Sequence, residues 1–253
     1  MTPDGTYDMR FESALVPARL VRRYKRFLAD VVLPNGEEVV AHCANPGSML
    51  GCMPPDARVW LSPNRNPGAK LAWRWELVEI DGALVGINTA RTNRIVEAAL
   101  GARRIGALAG YRTIRREVKY GTASRIDFLL EGPGRCFLEV KNVTLRRAGE
   151  AQFPDAVTLR GRRHLEELAR MAASGHRAVM LYLVHRGDCA RFALAEDIDP
   201  GYAAAFVAAQ AQGVEMLACD CHVTTEGVKI NRPLPIRPPT PYFGQKPTNA
   251  VRS

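Results

Sequence analysis

The chain has 253 residues, enough for one large or two small domains with a sizeable core. Its 47% hydrophobic and 24% charged content is ordinary for a soluble globular protein, and no run approaches the ~18 apolar residues of a membrane span. Net charge is +9, which suits a polyanionic partner, nucleic acid being the commonest.

The N-terminal MTPDGTYDMRFE is polar and lacks a signal-peptide core, and six irregularly spaced cysteines look like reduced thiols, so a cytoplasmic protein is expected. Short strand-like runs follow: LVPARLVR, KRFLADVVL and VVAHC, with an Asn35-Gly36 turn signal between the last two. ARVWLS, LAWRWELVEI and ALVGIN complete a set of five or six, the last two joined at Asp81-Gly82. Many short strands with little helix predict a small β-barrel of OB-fold type over residues 1–88. Near residue 89 the pattern changes, and Ile95, Val96, Ala99 and Leu100 take helical spacing, with Thr92 or Asn93 as cap. Strands are expected at about 112–120, 125–130 and 136–145. A helix should run over DAVTLRGRRHLEELARMAAS with Asp155 near its start, followed by a buried strand AVMLYLV. A helix DPGYAAAFVAAQAQG, closing strands in VEMLACDCHVTTEGVKI and a Pro-rich extended tail over 235–253 end the chain. Residues 89–253 therefore read as a mixed α/β domain.

The stretch RIDFLLEGPGRCFLEVKNVTL at 125–145 carries the chemistry. With 131–135 as the loop, Leu130 opposes Cys136, Phe128 opposes Leu138 and Ile126 opposes Val140, gathering six apolar side chains on one face. The same register sets Asp127 against Glu139 and Arg125 against Lys141. Like charges opposed across a ladder are destabilising, and a hard divalent cation between the carboxylates would relieve the first pair. Alternatively, both carboxylates lie on a solvated face, paired with Arg125 or Lys141. The charge distribution adds context: residues 89–170 hold 17 Lys/Arg against 9 Asp/Glu, nearly all of the net surplus.

Helix, antiparallel hairpin, helix and strand presenting Asp, Glu and Lys match the core of PD-(D/E)xK nucleases. The whole chain resembles the sugar fermentation stimulation protein (SfsA) family through RYKRFLADV (23–31), HCANPGSM (42–49), SRIDFLL (124–130), EVKNVTL (139–145) and FPDAVTLRGRRHLEEL (153–168). The family usually has Pro and Thr where this sequence has Ala44 and Pro46. The resemblance implies an N-terminal OB-fold-like barrel, a restriction-endonuclease-like α/β domain, and binding of single- or double-stranded DNA with little sequence preference. It implies Mg²⁺ or Mn²⁺ held by Asp127 and Glu139, with Lys141 completing the catalytic set and Glu97 as an added carboxylate. A solvated helix acid is the competing reading for Glu97. Arg125, Arg160 and His164 are candidate phosphate contacts, although His164 in the polar RGRRHLEEL suits an ordinary surface histidine. In ARLVRRYKRF, Arg19, Arg22, Arg23, Lys25 and Arg26 around Tyr24 and Phe27 suit backbone tracking with base stacking; buried aromatics and solvated arginines would give the same alternation. Two functions follow: a metal-dependent phosphodiester hydrolase, or a non-catalytic DNA-binding regulator of sugar catabolism on a nuclease scaffold.

Overall fold

The computed structural model describes residues 7–66, 68–120 and 124–240. A two-residue strand β1 (Met9–Arg10) comes first, and a barrel follows from β2 (Val16–Tyr24), β3 (Leu28–Val32), β4 (Glu38–His42), β5 (Arg58–Pro63), β6 (Trp73–Ile80) and β7 (Ala83–Gly86). The strands run in the order β4-β3-β2-β5-β6-β7, and parallel pairing of Ala41 with Trp73 and of His42 with Arg74 closes the first five on themselves. Alternation fills the interior: Ala29 and Val31 from β3, Val59 and Leu61 from β5, and the fully buried Trp75 meet there. Asp81 and Gly82 both take positive φ, as the tight turn expected between β6 and β7 requires.

The second part is a seven-stranded mixed sheet, ordered β1-β16-β15-β13-β10-β9-β8. Its members are β8 (Thr113–Tyr120), β9 (Ser124–Glu131), β10 (Arg135–Val143), β13 (Arg177–Val184), β15 (Glu215–Val223) and β16 (Gly227–Pro233), with β10, β13 and β15 parallel. Helix α1 (Thr92–Gly101) covers one face, and α2 (Leu159–Ala173) lies on the other with α3 (Pro200–Ala211) packed beside it. Burial on both faces explains the unbroken apolar run of β13. Val179, Leu181 and Leu183 join the α1-side core, while Met180, Tyr182 and Val184 join the core under α2 and α3. A small sheet of β11 (Leu145–Arg147), β12 (Glu150–Phe153) and β14 (Arg191–Leu194) had no clear sequence signal. The first residues also do more than precede the barrel, because β1 pairs with Gly227 and Val228 at the far edge of the mixed sheet.

Two helix starts differ from expectation. α2 begins at Leu159, where Thr158 Oγ1 accepts from the Gly161 N–H at 3.0 Å, because Asp155 is engaged with the barrel. α1 has no side-chain cap, since Thr92 and Asn93 turn to other partners. The tail is pinned as far as Thr240 by an Ile236–Phe192 bridge and by Arg237 against Glu150; the expectation for 241–253 falls outside the described residues. Among the described residues no helix is long and apolar enough to cross a membrane.

Candidate active site

β9 and β10 pair in the expected register from Glu131–Arg135 to Phe128–Leu138, and there the ladder ends. The next pair would set Asp127 against Glu139. Instead, Asp127 Oδ2 accepts the Val140 N–H at 2.8 Å, so a side chain replaces the missing backbone partner. Its other oxygen accepts from Asn93 Nδ2 on α1 at 2.8 Å. Strand alternation reverses at this point: Phe128 lies in the α1-side core with Leu130, Cys136, Leu138 and Val140, whereas Ile126 lies in the opposite core. The expected six-residue apolar face is thus five residues. The sheet is buried on both sides, so a reversal that delivers Asp127 to the site still leaves Ile126 a core to enter.

Glu139 points toward α2 and is 3% exposed. Its Oε1 accepts from Lys141 Nζ at 2.8 Å and from His164 Nδ1, while its Oε2 is buried without a hydrogen-bond partner. Arg160 Nε donates to His164 Nε2 at 3.3 Å, and His164 Nδ1 faces both Glu139 Oε1 and, at 3.0 Å, Lys141 Nζ. Burial and then the neighbouring Glu139 charge push the Asp127 carboxyl above its usual range, against the pull of the Val140 N–H and Asn93. Burial works on Glu139 in the same direction, yet Lys141 and His164 outweigh it and hold that carboxyl low. The environments thus separate two like groups in one cleft.

That cleft, about 530 Å³, opens between the barrel and the sheet. Arg26, Asn45 and Gly47 form the barrel wall, and Asp155 to Thr158, Arg160 and His164 the opposite one. Asp155 joins the two walls, its Oδ2 accepting the Met49 N–H at 2.8 Å and its carbonyl accepting from Ser48 Oγ. Gly47 is required here, because a Cβ would press on the Asp155 carboxylate at 2.9 Å.

Residues 21–87 match the family model described as the SfsA N-terminal OB domain, and residues 90–227 that of the sugar fermentation stimulation protein RE domain. The chain belongs to the sugar fermentation stimulation protein family. A protein of Rhodospirillum centenum named as a homolog of that family is 59% identical over 229 residues, 89% of this chain and 98% of its own. One from Ruegeria pomeroyi is 58% identical over 226 residues, 88% and 98% of the two chains. Among solved structures, Pyrococcus furiosus SfsA in complex with Ca²⁺ aligns with a TM-score of 0.84 at 27% identity, covering 92% of this chain and 100% of that one. SfsA architecture is therefore an OB barrel followed by a restriction-endonuclease-like domain, as expected from the sequence.

Within this cleft the structure brings together Asp127, Glu139, Lys141, Arg160, His164 and Arg26. Other candidates lie elsewhere. Glu97 is half exposed and paired with Arg116 at 3.0 Å, away from the cleft lining. Arg125 is exposed on β9 opposite Lys119 of the edge strand β8. Arg19 pairs with Asp56, and Arg22 with Asp30 while lying over the Tyr24 ring. Lys25 is exposed in the β2–β3 turn at positive φ. Arg23 is a clamp: it donates to the carbonyls of Asn45 (2.7 Å), Gly47 (3.0 Å), Ser48 and Arg26. Arg23→Ala should cost about 2 kcal/mol in urea unfolding, the range for hydrogen bonds from a charged donor, by releasing the loop that forms the barrel wall.

His164 is buried, and a surface role is excluded. It falls in the inward stripe Gly161, His164, Leu165, Leu168 at helical spacing, the signal that marks it as facing the sheet. Asn93 and Asp155 were likewise missed as holders of the site.

Among the described residues no three Asp, Glu, His or Cys stand together as a ligand cluster. Two carboxylates with an unpartnered buried oxygen still fit Mg²⁺ or Mn²⁺, since Mg²⁺ is usually held by one or two carboxylates plus water and substrate phosphate.

Proposed function

We propose that this protein binds DNA with little sequence preference across the barrel–sheet cleft and hydrolyses its phosphodiester backbone with Mg²⁺ or Mn²⁺. The observation that carries this reading is the convergence of Asp127, Glu139 and Lys141 on one cleft, with Glu139 Oε2 buried and unpartnered. The Ca²⁺ bound to the Pyrococcus furiosus relative supports a preference for hard cations.

Asp127 and Glu139 would hold the ion, which when bound lowers the pKa of a coordinated water and offsets phosphate charge. Asn93 and the Val140 N–H fix the Asp127 carboxylate, and His164 fixes that of Glu139. Lys141 Nζ is positioned to orient the attacking water or to stabilise charge developing on the phosphoryl oxygens. Arg26 and Arg160 offer cations from opposite walls to flanking phosphates. One observation favours the regulator without hydrolysis: Lys141 and His164 already occupy Glu139 Oε1.

The test is calorimetric titration with Mn²⁺ and Mg²⁺, then incubation with DNA with and without chelator. Metal uptake and chelator-sensitive cleavage establish the hydrolase. DNA binding without either leaves the regulator. Binding itself should weaken with salt at a log–log slope of about −2 to −3.6, as for three or four phosphates contacted at about −0.7 each on single strand or −0.9 on duplex. A flat response would remove the backbone-binding reading.

A further inference from the structure

The described residues leave six large apolar side chains in solvent: Val21, Phe27, Leu50, Val157, Leu159 and Val207. Four adjoin the cleft's walls along the chain. Val157 lines it, and Leu159 follows Thr158, which also lines it. Leu50 comes two residues after Ser48, whose hydroxyl donates to the Asp155 carbonyl, and Phe27 follows Arg26 of the barrel wall. Exposed apolar groups clustered beside a polar site mark a contact surface, whereas scattered ones do not.

The two most exposed, Val157 at 63% and Leu159 at 67%, are held outward by the residue between them. Thr158 is fixed twice: its N–H donates to Asp199 Oδ2 at 2.8 Å, and its hydroxyl caps α2. The main chain carrying Val157 and Leu159 is therefore fixed, so little backbone freedom is lost there on binding. Arg160 and Arg26 line the cleft from its two walls, and Lys25 and Arg26 directly precede the exposed Phe27.

An apolar pair and an aromatic beside cations match a ligand that offers both π-faces and phosphates. Continuous duplex hides its base faces in the stack and presents phosphate and sugar outward. An unpaired strand exposes both, and base–aromatic stacking is sequence-tolerant. Cleft size agrees: about 530 Å³ is the scale of a pocket for one small ligand, and suits a nucleotide or two of single strand.

We propose that this site takes unpaired DNA, a single strand or a frayed end, whose bases pack on Phe27 and against the Val157–Leu159 pair while its backbone runs to the carboxylates. This inference rests on the DNA-binding reading above and adds the form of the substrate.

The test measures anisotropy-based affinity of the full chain, in chelator and at fixed salt, for single-stranded, blunt duplex and forked DNA of one sequence. It is repeated for Val157→Ser/Leu159→Ser and for Phe27→Ala, all at exposed positions where folding is little affected. The wild type should prefer single-stranded and forked DNA by about tenfold or more, and the double variant should lose about tenfold of that preference. A 2-aminopurine base at the fork should report unstacking in the wild type alone. Equal affinity for duplex and single strand, or a preference that survives both variants, overturns the inference while the DNA-binding reading stands. Rim variants that change only the oligomeric state also overturn it, making the rim a contact between copies. No binding to any DNA removes the parent reading and this one with it.

Discussion

Asp127→Asn should abolish the proposed metal-dependent cleavage of DNA while DNA binding persists or tightens. Asn keeps the shape of Asp and one carbonyl oxygen, so it can still accept the Val140 N–H that closes the gap where the β9–β10 ladder ends. Asn93, itself an amide, can turn its oxygen toward the new amino group. The fold is therefore preserved, and what disappears is a negative oxygen donor facing the cleft. Losing several kcal/mol of metal-supplied stabilisation corresponds to about a thousandfold or more in single-turnover rate. Removing negative charge from the proposed phosphate site acts in the opposite direction on affinity. Glu139→Gln is expected to abolish cleavage as well, but it also withdraws the charge shared by Lys141 and His164, so its stability must be measured alongside. If Asp127→Asn cleaved within tenfold of the wild type, Asp127 would have no role in hydrolysis.

Which parts of this site could be read from the sequence follows from which interactions are local. The β9–β10 register was legible because apolar parity and a Gly-Pro loop both act over a few residues, and it holds for four residue pairs. It fails at Asp127, where the decisive partner is Asn93, 34 residues away on another element. His164 was misjudged because it is flanked by Arg162, Arg163, Glu166 and Glu167; local polarity hid its place in the Gly161–Leu165–Leu168 stripe. Arg23 looked like its neighbours Arg22 and Lys25, and only the path of the 45–48 loop makes it a clamp. Asp155 read as an acid near the start of a helix, where the helix dipole favours one. Here Thr158 takes the cap, and Asp155 is left to bond the barrel 106 residues earlier in the chain. Barrel, sheet and helices were visible as periods; the seam between them was not, since it is made of single polar residues from distant segments.

At that seam, wild-type stability should fall by up to about 3 kcal/mol as pH drops from 6.5 toward 4, and His185→Gln should remove that part of the fall. His185 is fully buried at the end of β13. Its Nδ1–H faces Asn142 Oδ1 at 3.1 Å, its carbonyl accepts the Gly86 N–H at 2.8 Å, and its Nε2 has no partner. Burial lowers its pKa from 6.5 to about 4, against a weaker opposing pull from Glu76. The folded state thus refuses a proton that the unfolded chain accepts below about 6.5. Stability is complete above that value and is lost on acidification, by about 1.4 kcal/mol for each unit of displacement. Urea unfolding at pH 7.5 and 4.5 for both proteins isolates this contribution from other acid-sensitive groups, and equal losses would exclude His185 as its source. The same contact predicts a pH-independent defect. A Cβ on Gly86 would overlap the His185 ring, and strand pairing with Leu77 holds that backbone in place, so Gly86→Ala should cost about 3 kcal/mol. Adding His185→Ala should recover part of that loss, because the overlap requires both side chains and the two changes cannot be additive. Asn142 also accepts from Thr92 Oγ1 at 3.1 Å and lines the cleft, so the residue that secures the barrel to the sheet is one hydrogen bond from the site the seam forms.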